Sequence, residues 1–242
     1  MSSRLATALT VILLPAASAG AGEARIFLNG LYNVSTPKYS DSRTFTEFIE
    51  QGTLDTKYEA KAGPGFEGGL QYNFIKHLGL AASFASASHD ASGSYSASLP
   101  HPLYLNSPRK VSGDVPGLKY RETVVHSDVV VSGRSGSLRY GAFAGASFFS
   151  AKADVVERIQ YDQTYPYDTV QVTGTPLQKA EDSPIGWNAG GSLDYALGVH
   201  FGLGVQGRYS RAKAELAADQ GKVKVKVDVG GLDLAFGVRI YF

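Results

Sequence analysis

From Leu232 to Phe242 every even position is large and apolar: Leu232, Leu234, Phe236, Val238, Ile240 and Phe242. The odd positions between them, Asp233, Ala235, Gly237, Arg239 and Tyr241, are small or polar. A period of two predicts a β-strand with one apolar and one polar face. Eleven residues at about 3.3 Å each, tilted by about 40°, rise roughly 28 Å, close to the thickness of a bilayer's hydrocarbon core. The alternation recurs upstream in Ala24–Val34, Pro64–Phe74, Leu78–Ser88, Arg121–Gly133, Ser137–Phe149, Pro184–Ala196 and Val199–Ala212.

Ile75–His77, Arg134–Gly136 and Leu197–Gly198 are short, hairpin-like connections between these strands. The intervening ones, about 35–63, 89–120, 150–183 and 213–223, are longer and polar. The chain is therefore expected to be all-β, an eight-stranded antiparallel up-and-down transmembrane β-barrel occupying 22–242 as one domain. Short turns and both termini would face the periplasm, and the four long connections would be external loops. A soluble eight-stranded calyx would turn its apolar face inward. Alternation alone does not tell which face is inward, but the polar face here carries Asn, Gln, Asp and Arg. A small calyx filled with unpaired charges would be costly, whereas a polar interior is ordinary for a barrel in lipid.

The N-terminus adds a location. Arg4 precedes an apolar run from Leu5 to about Pro15, then small residues at Ala-x-Ala spacing. This reads as a secretory signal peptide, 1–21, cleaved after Ala19 or Ala21. No later window reaches the roughly twenty apolar residues of a membrane helix. There is no cysteine, so no disulfide framework is expected. With 23 basic against 22 acidic residues, nothing argues for a nucleic-acid partner. The 28 glycines and 14 tyrosines suit close-packed strands and aromatic interfacial belts.

Together, the strand pattern, the signal sequence and terminal Phe242 resemble the OmpA/OmpX-like family of small eight-stranded outer-membrane barrels. The resemblance implies an outer-membrane location among lipid and lipopolysaccharide. It also implies that Phe242 serves as the signal read by the barrel assembly machinery, and that the protein is a monomer.

Some small barrels modify lipid A, using a His and a Ser two apart on one strand face. Here Ser127 follows His126 directly and so points to the other face. The five histidines lack metal-ligand spacing and no glycine run forms a phosphate loop, so neither cofactor nor metal is expected. The polar face carries Arg25, Glu67, Asp128, Arg139, Asp194, Arg208, Asp233 and Arg239. Opposite charges at similar depth in so narrow a lumen are expected to pair, Arg139 with Asp194 in particular. Lys222, Lys224 and Lys226 share the parity of Leu232 and sit above the apolar band, where lipopolysaccharide phosphates would lie. The expected function is non-enzymatic, with external loops serving adhesion, surface shielding or envelope integrity. A narrow solute pore and a lipid A-modifying enzyme are the alternatives.

Overall fold

The computed structural model describes residues 22–218 and 223–242. The signal segment 1–21 and Lys222 lie outside the described residues. The chain forms β1 (Glu23–Asn33), β2 (Lys38–Glu47), β3 (Glu50–Ala60), β4 (Gly63–Ile75), β5 (Leu78–Leu99) and β6 (Arg109–Ser135). It continues through β7 (Leu138–Val156), β8 (Gln160–Gln163), β9 (Val170–Gly174), β10 (Leu177–Asp182), β11 (Ile185–Ala196), β12 (Phe201–Ala218) and β13 (Val223–Tyr241). Antiparallel ladders join β1–β4–β5–β6–β7–β11–β12–β13, and β13 closes back on β1 through Ile26↔Ile240 to Asn33↔Asp233. The fold is an eight-stranded barrel.

The stretches expected as long loops are largely strand. β6 runs for 27 residues, more than twice the 9–11 that a transmembrane strand needs. β2, β3 and β10 extend the neighbouring barrel strands after short interruptions. β3 pairs with the distal half of β5, from Thr53↔Ser98 to Ala60↔Ala91, just beyond where β4 leaves off at Gly65↔Ala87. β10 follows Val156 to Ala151 of β7, above the Ile185↔Phe148 rung of β11. Pro37 and Pro184 mark two of the interruptions. Having no N–H, proline opens a ladder without turning the chain, and both carbonyls still accept, from Ala60 and Phe149. The barrel therefore continues past its lipid-matched section as a tower.

Side-chain chemistry inverts between the two sections while inward parity is kept across the change, β6 shifting its parity only higher up, between Val115 and Leu118. In the lower section Leu80, Phe84, Val129, Leu203, Leu234 and Phe236 face outward and are exposed. Asn29, Gln71, Asp128, Asn188 and Gln206 are buried inside. Higher on the same strands the interior turns apolar, with Leu54, Tyr58, Leu99, Leu118, Val155, Leu216 and Val225 in one core cluster. The outer face there is Ser88, Asp90, Ser92 and Ser94 on β5, and Arg211, Lys213 and Glu215 on β12. Ile159, Tyr161, Val170 and Val172, on and beside the β8–β9 hairpin, pack against this core. Lipid outside requires an apolar wall and tolerates a polar filling; water outside requires the reverse.

His89 of β5 lies inside the tower, 6% exposed. Its Nδ1 has no hydrogen-bond partner, and burial holds its pKa below the usual histidine value. The unfolded chain takes up this proton near pH 6.5 and the folded tower does so only at lower pH. The tower should therefore lose stability as pH falls below about 6.5. Amide exchange of β5 should accelerate on acidification in the wild type and do so less in His89→Phe; equal acceleration in both would assign the effect elsewhere. On the outer wall, Leu234→Arg should destabilise the vesicle-embedded barrel by about 2–4 kcal/mol in urea titrations. Lys213→Leu, on the tower, should stay within about 0.5 kcal/mol.

Candidate functional site

Two places concentrate unusual chemistry: the charged lumen and the tip of the tower. In the lumen, Arg208 of β12 is 4% exposed. It donates to Asp128 of β6 at 2.8 Å, to Asn188 of β11 at 2.6 Å and to Glu67 of β4 at 3.3 Å, and lies 4.5 Å from the Phe143 ring centroid. Nearer the termini, Asp194 of β11 accepts from Arg239 at 2.9 Å and from Arg25. Asn29 joins the two groups, accepting from Arg239 at 2.6 Å and donating to Glu67 at 2.9 Å. Three guanidiniums and three carboxylates thus balance within one connected network, as burial of charge requires. A cavity among Glu67, His126, Gln206 and Arg208 is about 10 Å3, room for one water at most.

Two pairings differ from the sequence expectation. Arg139 and Asp194 are register partners, yet Arg139 pairs with Glu23 and stacks 3.9 Å from the Tyr241 ring centroid. Asp194 is 1% exposed and is reached across the lumen by Arg25 and Arg239, because inward side chains in a narrow barrel meet opposite strands as readily as adjacent ones. Asp233 faces the lumen but accepts from Asn33 at 2.8 Å, with no arginine as partner.

His126 does meet a serine, on the neighbouring strand: its Nδ1 lies 2.8 Å from Ser147 Oγ, and the two are register partners. Reading within one strand could not reveal this. Ser147 also accepts from Asn188 at 3.0 Å and is fully buried, so the pair belongs to the packed network.

The lysine row fares differently. Lys226 is exposed opposite Glu215, and Arg211 pairs with Asp228 at 2.9 Å beside it. Lys224 lies on β13 opposite Ala217. This face carries mixed charge, not an isolated basic patch. Phe242 is 69% exposed, and its N–H donates to the carbonyl of Ala24.

At the tower tip, three connections are cross-tied. Arg109, 7% exposed at the start of β6, donates to Pro100 O at 2.6 Å, Gln163 Oε1 at 2.6 Å and Tyr167 O at 3.0 Å. The Asn106 N–H donates to Glu50 at 2.6 Å. Tyr161 donates to Glu47 at 2.6 Å, and burial together with that carboxylate pushes its hydroxyl pKa up, so it remains a donor. Phe48, Ile49, Asn106 and Tyr167 are the non-glycine residues with positive φ among the described residues, and all four lie in these connections. Ile49 combines a φ of 71° with 96% exposure. A β-branched side chain is rarely tolerated in that region, and such strain collects at working surfaces. Leu103, Tyr104 and Leu105 in the β5–β6 connection and Tyr165 in the β8–β9 connection are exposed as well. The tip was missed in the sequence, where Leu103-Tyr-Leu105 inside a polar stretch was the available signal.

Neither a family model nor a curated protein matches the chain. Among solved structures, the outer-membrane protein OprG of Pseudomonas aeruginosa superposes with a TM-score of 0.52 at 12% identity, over 92% of this chain and 97% of its own. Neisserial surface protein A gives 0.40 at 12% identity, over 90% and 97%. The outer-membrane protease OmpT of Escherichia coli gives 0.43 at 11% identity, over 91% and 96%. At these identities the likeness concerns fold: the chain has the fold of a small outer-membrane β-barrel.

Asp194→Ala should leave Arg25 and Arg239 facing each other without a counter-ion. Loss of about 3–5 kcal/mol is expected if the site stays dry, measured by urea unfolding in vesicles with Trp187 fluorescence. Arg139→Gln, at the wetter rim, should cost clearly less.

Proposed function

We propose that this protein is a non-conducting, non-enzymatic outer-membrane barrel that carries a rigid tower above the bilayer and uses its tip as a contact surface. Adhesion and surface shielding are the roles this arrangement serves best. The single observation that carries the reading is the tip itself, where backbone strain and exposed apolar side chains coincide. Each is costly alone, and a surface that binds a partner is the usual reason to keep both. On this reading the termini lie in the periplasm, the signal segment 1–21 is removed, and Phe242 is the end met by the assembly machinery. Lipid and lipopolysaccharide surround the lower wall.

The pore alternative is disfavoured by the packed lumen and the apolar tower core above it. Planar-bilayer recordings of the wild type should stay near baseline, and large steady conductance would favour the pore. Cells displaying Ile49→Ser with Leu105→Ser should bind host matrix or other cells markedly less than cells displaying the wild type. Unboiled samples of the variant should still migrate faster than boiled ones on SDS gels, showing an intact barrel.

A further inference from the structure

The rim where the termini meet holds a pocket of about 640 Å3. The Asp194–Arg239 pair, 1% and 0% exposed, is buried behind its wall, so the pocket forms a vestibule at the end of a charge-filled lumen. Four basic side chains line it, Arg25, Lys76, Arg134 and Arg139, against one acid, Glu23. Glu23 is taken by Arg139, and the Asp194 carboxylate behind the wall is shared between Arg25 and Arg239. The vestibule therefore keeps an uncompensated positive charge in a concave site, which focuses the field on an anion.

The wall also supplies directional hydrogen bonding. Arg25 donates to Gln71 at 2.6 Å, Gln71 to Asn73 at 2.8 Å, and Asn73 to Ser132 at 3.1 Å. Ser192 completes this polar lining. Tyr241 lines the same space, is 2% exposed, and its hydroxyl has no hydrogen-bond partner. A buried hydroxyl normally has one, and a ligand in the vestibule would provide it.

We propose that this vestibule binds a small sugar bearing a phosphate or carboxylate, whose anionic group meets Lys76 and Arg134 while its hydroxyls meet the amides, serines and Tyr241. The volume exceeds that of a bare inorganic anion, and the alternation of amide and hydroxyl groups suits a polyol. Lys76 and Arg134 sit exposed at the short turns and hold no part of the barrel together.

Calorimetric titration of the folded protein in an uncharged detergent at low salt tests this. Glucose 6-phosphate should bind saturably, inorganic phosphate more weakly, and glucose without measurable affinity. The Lys76→Gln, Arg134→Gln double variant should bind glucose 6-phosphate about ten-fold or more weakly while keeping its heat-dependent gel shift. Tyr241→Phe should bind several-fold more weakly and unfold at the same urea concentration, since its hydroxyl makes no hydrogen bond to the protein. The proposal is overturned by absence of saturable glucose 6-phosphate binding. Equal affinity for glucose or inorganic phosphate overturns it too, as does unchanged affinity in either variant.

Discussion

A strand cannot change which of its alternate side chains point inward without a bulge or a break. That constraint governs the molecule. β12 and β13 keep one inward parity from lipid into water, and β6 shifts its parity only higher in the tower, at the irregularity between Val115 and Leu118. The environment therefore dictates opposite side-chain chemistry at the two ends of one continuous wall. β12 shows the change in a few residues. Gln206 and Arg208 point inward behind Val205 and Tyr209; then Ala212, Ala214 and Leu216 point inward behind Arg211, Lys213 and Glu215. Closure of the ladder through β1 and β13 satisfies the backbone in the lower level. In the tower the ladder runs on from β2 through β3, β5, β6 and β7, which leaves side chains to decide what fills the interior.

In the lower level the filling is charge, and it is held by balance. Arg208 lies between Glu67 and Asp128, while Asp194 lies between Arg25 and Arg239, so neither group is neutral alone. One group carries an extra negative charge and the other an extra positive one. Asn29, bonded to both Glu67 and Arg239, makes them a single neutral unit. This is a stronger reason for a closed lumen than pore diameter, because opening the lumen would separate charges that compensate only together. The imbalance left at the rim then arises from Arg139, Lys76 and Arg134 having too few acids beside them.

The eight barrel strands could be read directly from the sequence because lipid imposes high contrast, with Leu and Phe set against Asp and Arg. The tower could not, because its contrast is low. From Ala85 to Ser98 the inward residues include Ala85, Ala87, Ala91 and Ala97, and the outward ones are serines or Asp90. Alanine alternating with serine looks like a flexible polar loop, although the alanines fill a core that the large residues of other strands complete. Pro37 and Pro184 added loop signals where the ladder pauses and resumes. Within the lumen, the identity of the charged residues could be read from strand parity, but their partners could not. Adjacent strands suggested Arg139 with Asp194, whereas the lumen is narrow enough for Arg25 and Arg239 to reach Asp194 instead.

The tower explains how strain at the tip can persist. A free loop carrying Ile49 at positive φ would relax to a cheaper conformation. Here the β2–β3 turn is held from below by a register running from Lys38↔Glu59 to Glu47↔Glu50, and β3 is itself paired with β5. Glu50 takes the Asn106 N–H, and Arg109 fastens Pro100 and Tyr167 to the same end. Each strained residue is therefore anchored to strands that continue, directly or through a short break, into the lipid-matched barrel. A flexible loop would have to become ordered when it met a partner, at an entropic cost. A tip whose shape is already fixed by the ladder meets that cost during folding, and its exposed apolar side chains are presented in one arrangement.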